Sequence, residues 1–220
     1  MNYAKSKEAK LKKRKILLDE VQKRYAKNTF DAIKMVDVAA GCKVSKGTIF
    51  NYFESKETLF LTLLMREYGK WFDGLYQRIQ GADPMDEGAF VNLVLNYVDV
   101  SLSENEQLFH LIGLSHSRLE HNVSLRLAEQ YRRFINDKVT GIGYLVSAKV
   151  PDVSQIQSIK MMMTLHTLIV GHGQMALLPE VMTKELPLDE LEMYEVDFRV
   201  TLIETLKVYL RGLFRSHRNH

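Results

Sequence analysis

From Leu17 onward apolar residues return at helical spacing, with Leu17, Leu18, Val21 and Tyr25 on one stripe, and Asn28 is a helix-ending residue type. A second helix is expected near Lys34, with no good capping residue before it. Between Val44 and Thr58 the pattern becomes a short helix with marked ends. Ser45 and Ser55 both stand at N-cap positions, where a hydroxyl accepts a first-turn amide. Ile49 and Phe53, four apart, share one side, while Lys46, Gly47, Phe50 and Asn51 turn the other way. So short a helix cannot stand alone. Its apolar side must rest on Val38, Ala39 and Cys42, leaving the other side outward.

Ser55 opens a helix whose apolar positions, from Leu59 and Phe60 to Tyr76 and Ile79, keep their spacing to the Gly81-Ala82-Asp83-Pro84 break. At about 25 residues it spans ~37 Å, enough to belong to two parts of the molecule. Further helices are predicted over 87–102, about 105–118, 123–149, 153–177 and 189–215, punctuated by Pro151, Pro179 and Pro187. In the last, Phe198, Leu202, Leu206, Tyr209 and Leu213 form one stripe, and Val196, Val200, Ile203, Leu210 and Phe214 a second beside it. A face that wide is expected to cover two surfaces, the chain's own core and something else. In the preceding helix Gly171 and Gly173 permit close approach of another helix, and Met161, Met162, Met163 and Met175 supply adaptable packing. The prediction is an all-α protein.

Composition changes this picture in two places. One cysteine in 220 residues leaves no internal disulfide, and a Lys-rich start without an apolar run behind it, or any later run of 18 apolar residues, points to the cytoplasm and away from membranes. The net charge is only +3, yet residues 1–56 hold 14 Lys and Arg against 6 Asp and Glu, while residues 57–220 are net acidic. A phosphate-facing unit joined to an ordinary one has that footprint. Lys5, Lys7, Lys10, Lys12, Lys13, Arg14 and Lys15 read either as a solvated helix end or, the favoured reading, as a basic arm along DNA.

The stretch V-A-A-G-C-K-V-S-K-G-T-I-F-N-Y-F-E-S-K resembles the DNA-binding segment of the TetR family of bacterial transcriptional regulators, commonly I-A-x-x-A-G-V-S-x-G-T-x-Y-x-[HY]-F-x-x-K. Val38, Ala39, Val44 to Thr48, Tyr52, Phe53 and Lys56 match it without a gap. Cys42, Lys43 and Phe50 replace the family's Ala, Gly and Tyr. Lys43 is therefore expected at a positive φ, with a strained or differently shaped turn.

The resemblance implies an N-terminal three-helix DNA-binding domain, residues 1–55, and a larger helical dimerisation and effector domain, 56–220. On that reading Lys46, Gly47, Thr48, Phe50 and Asn51 enter the major groove of double-stranded DNA, and Ser45, Tyr52 and Lys56 serve the backbone contacts. A homodimer would form through the last two helices, by Gly171, Met175, Phe198, Leu202, Leu206, Leu210 and Leu213. A small-molecule pocket is implied inside the bundle, walled by Trp71, Phe72, Tyr76, Tyr97, Phe109, His110, Tyr131, Met162 and His166, and suited to an apolar effector. The function implied is a repressor released from a palindromic operator. Two rivals stay open: the same fold without an effector, and a helical enzyme with a relict head. No cofactor is expected. Nor is a metal, since His116 and His121 are five apart and His166 and His172 six, neither an i, i+4 pair.

Overall fold

Helices α1 (Asn2–Tyr25), α2 (Met35–Gly41) and α3 (Lys46–Tyr52) form the N-terminal head of a computed structural model that describes residues 2–151, 153–178, 180–192 and 197–217. Leu17, Val21, Val38, Ile49 and Phe53 are sealed between them, which is where their spacing puts them. α1 starts well before its apolar stripe and takes in the basic stretch. Lys10, Lys12 and Lys15 are exposed along it, so the charged segment is a helical continuation of α1; straight-chain cations lose little freedom there. Arg14 turns inward, its guanidinium 5.0 Å from the Phe53 ring centroid and donating to the Thr62 hydroxyl at 3.3 Å.

α4 (Lys56–Gly81) belongs to head and body together. Near its start Phe60 meets Tyr25 and Phe30 edge-on, with centroids 5.4 and 4.8 Å apart. Arg66 reaches back to α1, donating to Asp19 at 2.6 Å and to Gln22 at 2.8 Å. Farther along, Tyr68, Phe72, Leu75 and Ile79 are buried in the body.

The body continues through α5 (Glu87–Glu104), α6 (Glu106–Leu114), a π-helical turn (Ser115–Leu119), a 3₁₀ turn (Glu120–Asn122), α7 (Leu125–Lys149), α8 (Gln155–Met175), the short α9 (Glu180–Glu185) and α10 (Leu188–Glu192), and α11 (Phe198–His217). The helix expected over 105–118 thus ends at Leu114. The Ser115 hydroxyl donates to the Ile112 carbonyl at 2.6 Å, and the wider turn that follows buries Ser115 and Leu119. Arg132 of α7 and His116 both reach the nearly buried Glu120 carboxylate, tying the turn to α7. α8 crosses its neighbours backbone to backbone. A Cβ on Gly113 of α6 would lie 2.4 Å from the Gly173 carbonyl carbon, and one on Gly143 of α7 2.9 Å from the Ile159 Cα. Gly173 therefore does admit a helix, but from the same chain.

The single helix expected over 189–215 is divided. The Asp197 carboxylate accepts the Val200 amide at 2.9 Å and so starts a new helix; Val196 lies outside the described residues. α11 rests on α5 and α8, with Arg199 clasping Asp99 through two hydrogen bonds of 2.7 and 2.9 Å. This placement corrects four of the residues expected at an interface between copies. Phe198, Leu202, Leu206 and Leu210 are enclosed within their own body, because one stripe of α11 already faces two neighbours. Leu213 is half-buried at the edge, while Gly171 and Met175 are exposed on the far side of α8.

Candidate nucleic-acid interface

The turn between α2 and α3 is set by hydrogen bonds that close the end of α2. The Lys43 amide donates to the Ala40 carbonyl and the Val44 amide to the Ala39 carbonyl, both at 3.0 Å, which is the Schellman arrangement. It requires a left-handed residue after the cap, and Lys43 takes φ 53°. The expected positive φ is present. Val44 then folds back on the head core, and the Ser45 hydroxyl accepts the Thr48 amide at 3.1 Å, fixing the start of α3.

With Ile49 and Phe53 fully buried, helical geometry turns Lys46, Gly47, Phe50 and Asn51 outward, and all four are exposed, as is Ser45. Thr48 and Tyr52 are half-buried at the flanks; the Thr48 hydroxyl is 2.8 Å from that of Ser45. The presented face therefore carries a cation, an amide, a ring and a bare backbone, the donor and contact set that reads base edges in a groove. Lys56 is committed elsewhere. Its ammonium lies 4.2 Å from the Phe30 ring centroid and donates to the Asp31 carbonyl at 3.3 Å, so it closes the loop between α1 and α2.

In the body, Trp71, Phe72, Tyr97, Phe109, Tyr131 and His166 join one buried aromatic cluster, with Met162 buried one turn before His166. Tyr68, absent from the sequence-derived set, belongs to it as well: 4.3 Å from Phe72, 5.4 Å from Trp71 and 5.8 Å from His166 between ring centroids. Tyr76 does not join it. Leu75 and Ile79 take the inner face of α4 and leave Tyr76 36% exposed. His110 stands apart as well, its ring 6.3 Å from Phe198.

The cluster's polar tips are unevenly matched. The Tyr68 hydroxyl and His166 Nδ1 are 3.1 Å apart, and the Tyr97 hydroxyl donates to the Trp71 carbonyl at 2.6 Å. The Trp71 indole N–H meets no acceptor among the described residues, and the Tyr131 hydroxyl faces Ser115 without a well-formed hydrogen bond to it. Burial, with the charges of His116 and Arg132 adding to it, lowers the His166 pKa to about 4, and burial pushes that of Tyr131 up to about 12. Both are neutral near pH 7.

A separate cleft of 780 Å³ opens where head and body meet. Residues 25–31 line it from the head, and His110, Leu114 and Arg118 from α6 and the π turn, with Leu177 and Leu178 beyond α8. Arg118 crosses this seam, donating to the Asp31 carboxylate at 2.5 Å with its guanidinium 5.4 Å from the Phe30 ring centroid.

A short helix that presents one cation and one amide outward, set by a tight turn on a three-helix head and carried on a larger helical domain, defines a helix-turn-helix regulator that binds DNA. The sequence profile of the bacterial regulatory proteins of the tetR family matches residues 25–63, and that of the tetracyclin repressor-like C-terminal domain matches residues 65–217. The chain belongs to the TetR family of transcriptional regulators. It is 35% identical over 60 residues to the HTH-type transcriptional regulator YuxN of Bacillus subtilis, a match covering 27% of this chain and 21% of that protein. A TetR transcriptional regulator from Legionella pneumophila has the same fold, with TM-score 0.58 and 14% identity over 90% of this chain and 94% of that one. So does FadR of Bacillus subtilis in complex with stearoyl-CoA, with TM-score 0.53 and 14% identity over 90% and 97% of the two chains. Among the described residues no helix is long and apolar enough to cross a membrane.

Proposed function

We propose that this regulator is a homodimeric repressor whose residues 1–55 bind a palindromic operator and whose residues 56–220 dimerise and take a small effector. The observation that carries the DNA reading is the exposure of Lys46, Gly47, Phe50 and Asn51 over a fully buried Ile49 and Phe53. Lys46 pairs with a guanine edge and Asn51 with an adenine edge; Gly47 and Thr48 let the helix start approach, Phe50 touches a thymine methyl, and Ser45 and Tyr52 contact the backbone. Selection from a random DNA pool should return a palindrome. Lys46→Ala or Asn51→Ala should each cost about 1–3 kcal/mol on it and relax one base position in each half-site. If both leave affinity and the selected site unchanged, this face does not read DNA.

The surface that best suits a second copy is the outward side of α8 and α11, where Met163, Met175, Val200 and Val208 are exposed and, among the described residues, no neighbouring element comes within 4 Å of a Cβ built on Gly171 or Gly212. For the effector, the support is the aromatic cluster with its unmatched Trp71 N–H. An apolar molecule carrying one acceptor would suit it. Its rings already touch one another, which favours, as a second reading, a regulator that binds DNA without an effector in the bundle. Fluorescence titration of Trp71 with apolar ligands separates the two.

A further inference from the structure

We propose that the cleft between head and body is a binding site for an amphipathic carboxylate, distinct from the aromatic cluster, and that its occupancy is coupled to DNA binding. The cleft's volume, 780 Å³, falls within the ~300–1,000 Å³ typical of small-molecule sites. Its lining joins two chemistries: the cations Lys27, Arg118 and Lys184, and the aliphatic Leu114, Leu177 and Leu178. A molecule with an anionic head and an apolar tail satisfies both, where a wholly apolar one would leave the cations facing hydrocarbon.

The anion's position is marked by one already there. Asp31 places a carboxylate oxygen 2.5 Å from Arg118 Nη2, and the side chains of the pair are 36% and 49% exposed. A pair so open to water is held weakly, so a ligand carboxylate can take the place of Asp31. Arg118 does not depend on Asp31 for its position, because its guanidinium also lies on the Phe30 ring, 5.4 Å from the centroid. It remains a flat fork facing the cleft after the exchange, able to accept a carboxylate through two parallel hydrogen bonds.

A ligand seated there touches the head through residues 25–31 and the body through α6, the π turn and the segment after α8. It replaces a direct head-to-body ion pair by its own contacts to both sides. Occupancy therefore changes the free energy of placing the head against the body, and by linkage operator DNA and ligand must alter each other's affinity by one common factor.

Titration calorimetry with decanoate, and with decanol as the uncharged control, tests the site on the full-length protein without DNA. Decanoate should bind and decanol should bind far more weakly. Arg118→Met should reduce decanoate affinity roughly tenfold or more, whereas Asp31→Asn, by removing the internal competitor, should raise it by up to about fivefold. Circular dichroism establishes that both variants fold. No binding of decanoate, equal binding of decanol, or unchanged affinity in both variants overturns the site, and so does a loss of affinity in Asp31→Asn. None of those outcomes touches the reading face of α3, which fails only if DNA binding fails. Where decanoate binds as expected, saturating amounts should shift affinity for the selected operator in the wild type and not in Arg118→Met. A wild type whose operator affinity does not move overturns the coupling.

Discussion

Lys43 holds a backbone conformation that side chains oppose, and the cost can be worked out from its geometry. At φ 53° its Cβ crowds the following carbonyl, which costs roughly 1–2 kcal/mol for an L-residue. Lys43→Gly removes that strain but frees the unfolded chain, which offsets about 0.5–1 kcal/mol. The net expectation is a gain of about 0.5–1 kcal/mol. Lys43→Ala separates strain from charge, since it removes the ammonium and keeps the crowded Cβ; it should be no more stable than the wild type. Urea unfolding of the three proteins, followed by far-ultraviolet circular dichroism, should therefore order them Gly above Lys and Ala. DNA binding runs the opposite way, because both substitutions remove a cation from the head and weaken binding to all sequences alike. A glycine variant no more stable than the alanine variant would show that the Schellman turn carries no strain and would refute the account of α2's end.

Other positions give equally direct tests. Gly113→Ala places a methyl group 2.4 Å from the Gly173 carbonyl carbon, backbone that cannot rotate aside; it should destabilise by at least ~1–3 kcal/mol in urea titration. Gly171→Ala meets no neighbouring element within 4 Å among the described residues and should gain up to about 1 kcal/mol of helix propensity in the protomer while weakening self-association, read by analytical ultracentrifugation, if the outward face of α8 joins two copies. Leu206→Glu should unfold the body rather than release folded monomers, since Leu206 is fully buried within its own chain. The neutral His166 ring is favoured in the fold, its pKa being about 4 against an ordinary 6.5. Its contribution is complete above pH 6.5 and is lost as pH falls toward 4, by ~3 kcal/mol at most. The stability of His166→Asn, measured by denaturant titration across that range, should fall less steeply than that of the wild type.

Local signals served well wherever the physics is local. The Ser45 and Ser55 caps, the Ile49–Phe53 stripe and the left-handed Lys43 each depend on neighbours within a turn or two, so residue types alone locate them. The wide stripe of α11 is ambiguous in sequence, because an apolar face does not say whether its cover comes from the same chain. Here α5 and α8 supply it for Phe198, Leu202, Leu206 and Leu210. Lys56 looks like a phosphate ligand by motif, and only its proximity to Phe30 and Asp31 shows that it closes a loop. Arg118 and Asp31 lie 87 positions apart, and no periodicity joins them. The π turn that places Arg118 leaves no pattern in S-H-S-R-L that distinguishes it from ordinary helix.

The chain contains a single tryptophan, Trp71, only 5% exposed and bordered by Tyr68, Tyr97 and Phe109. An indole so enclosed emits at short wavelength until the body opens, and nothing in the head contributes to that signal. Its emission therefore follows one half of the molecule while circular dichroism follows both. Comparing the two melting curves would show whether α4 makes head and body melt as one cooperative unit or lets the DNA-binding part come apart first.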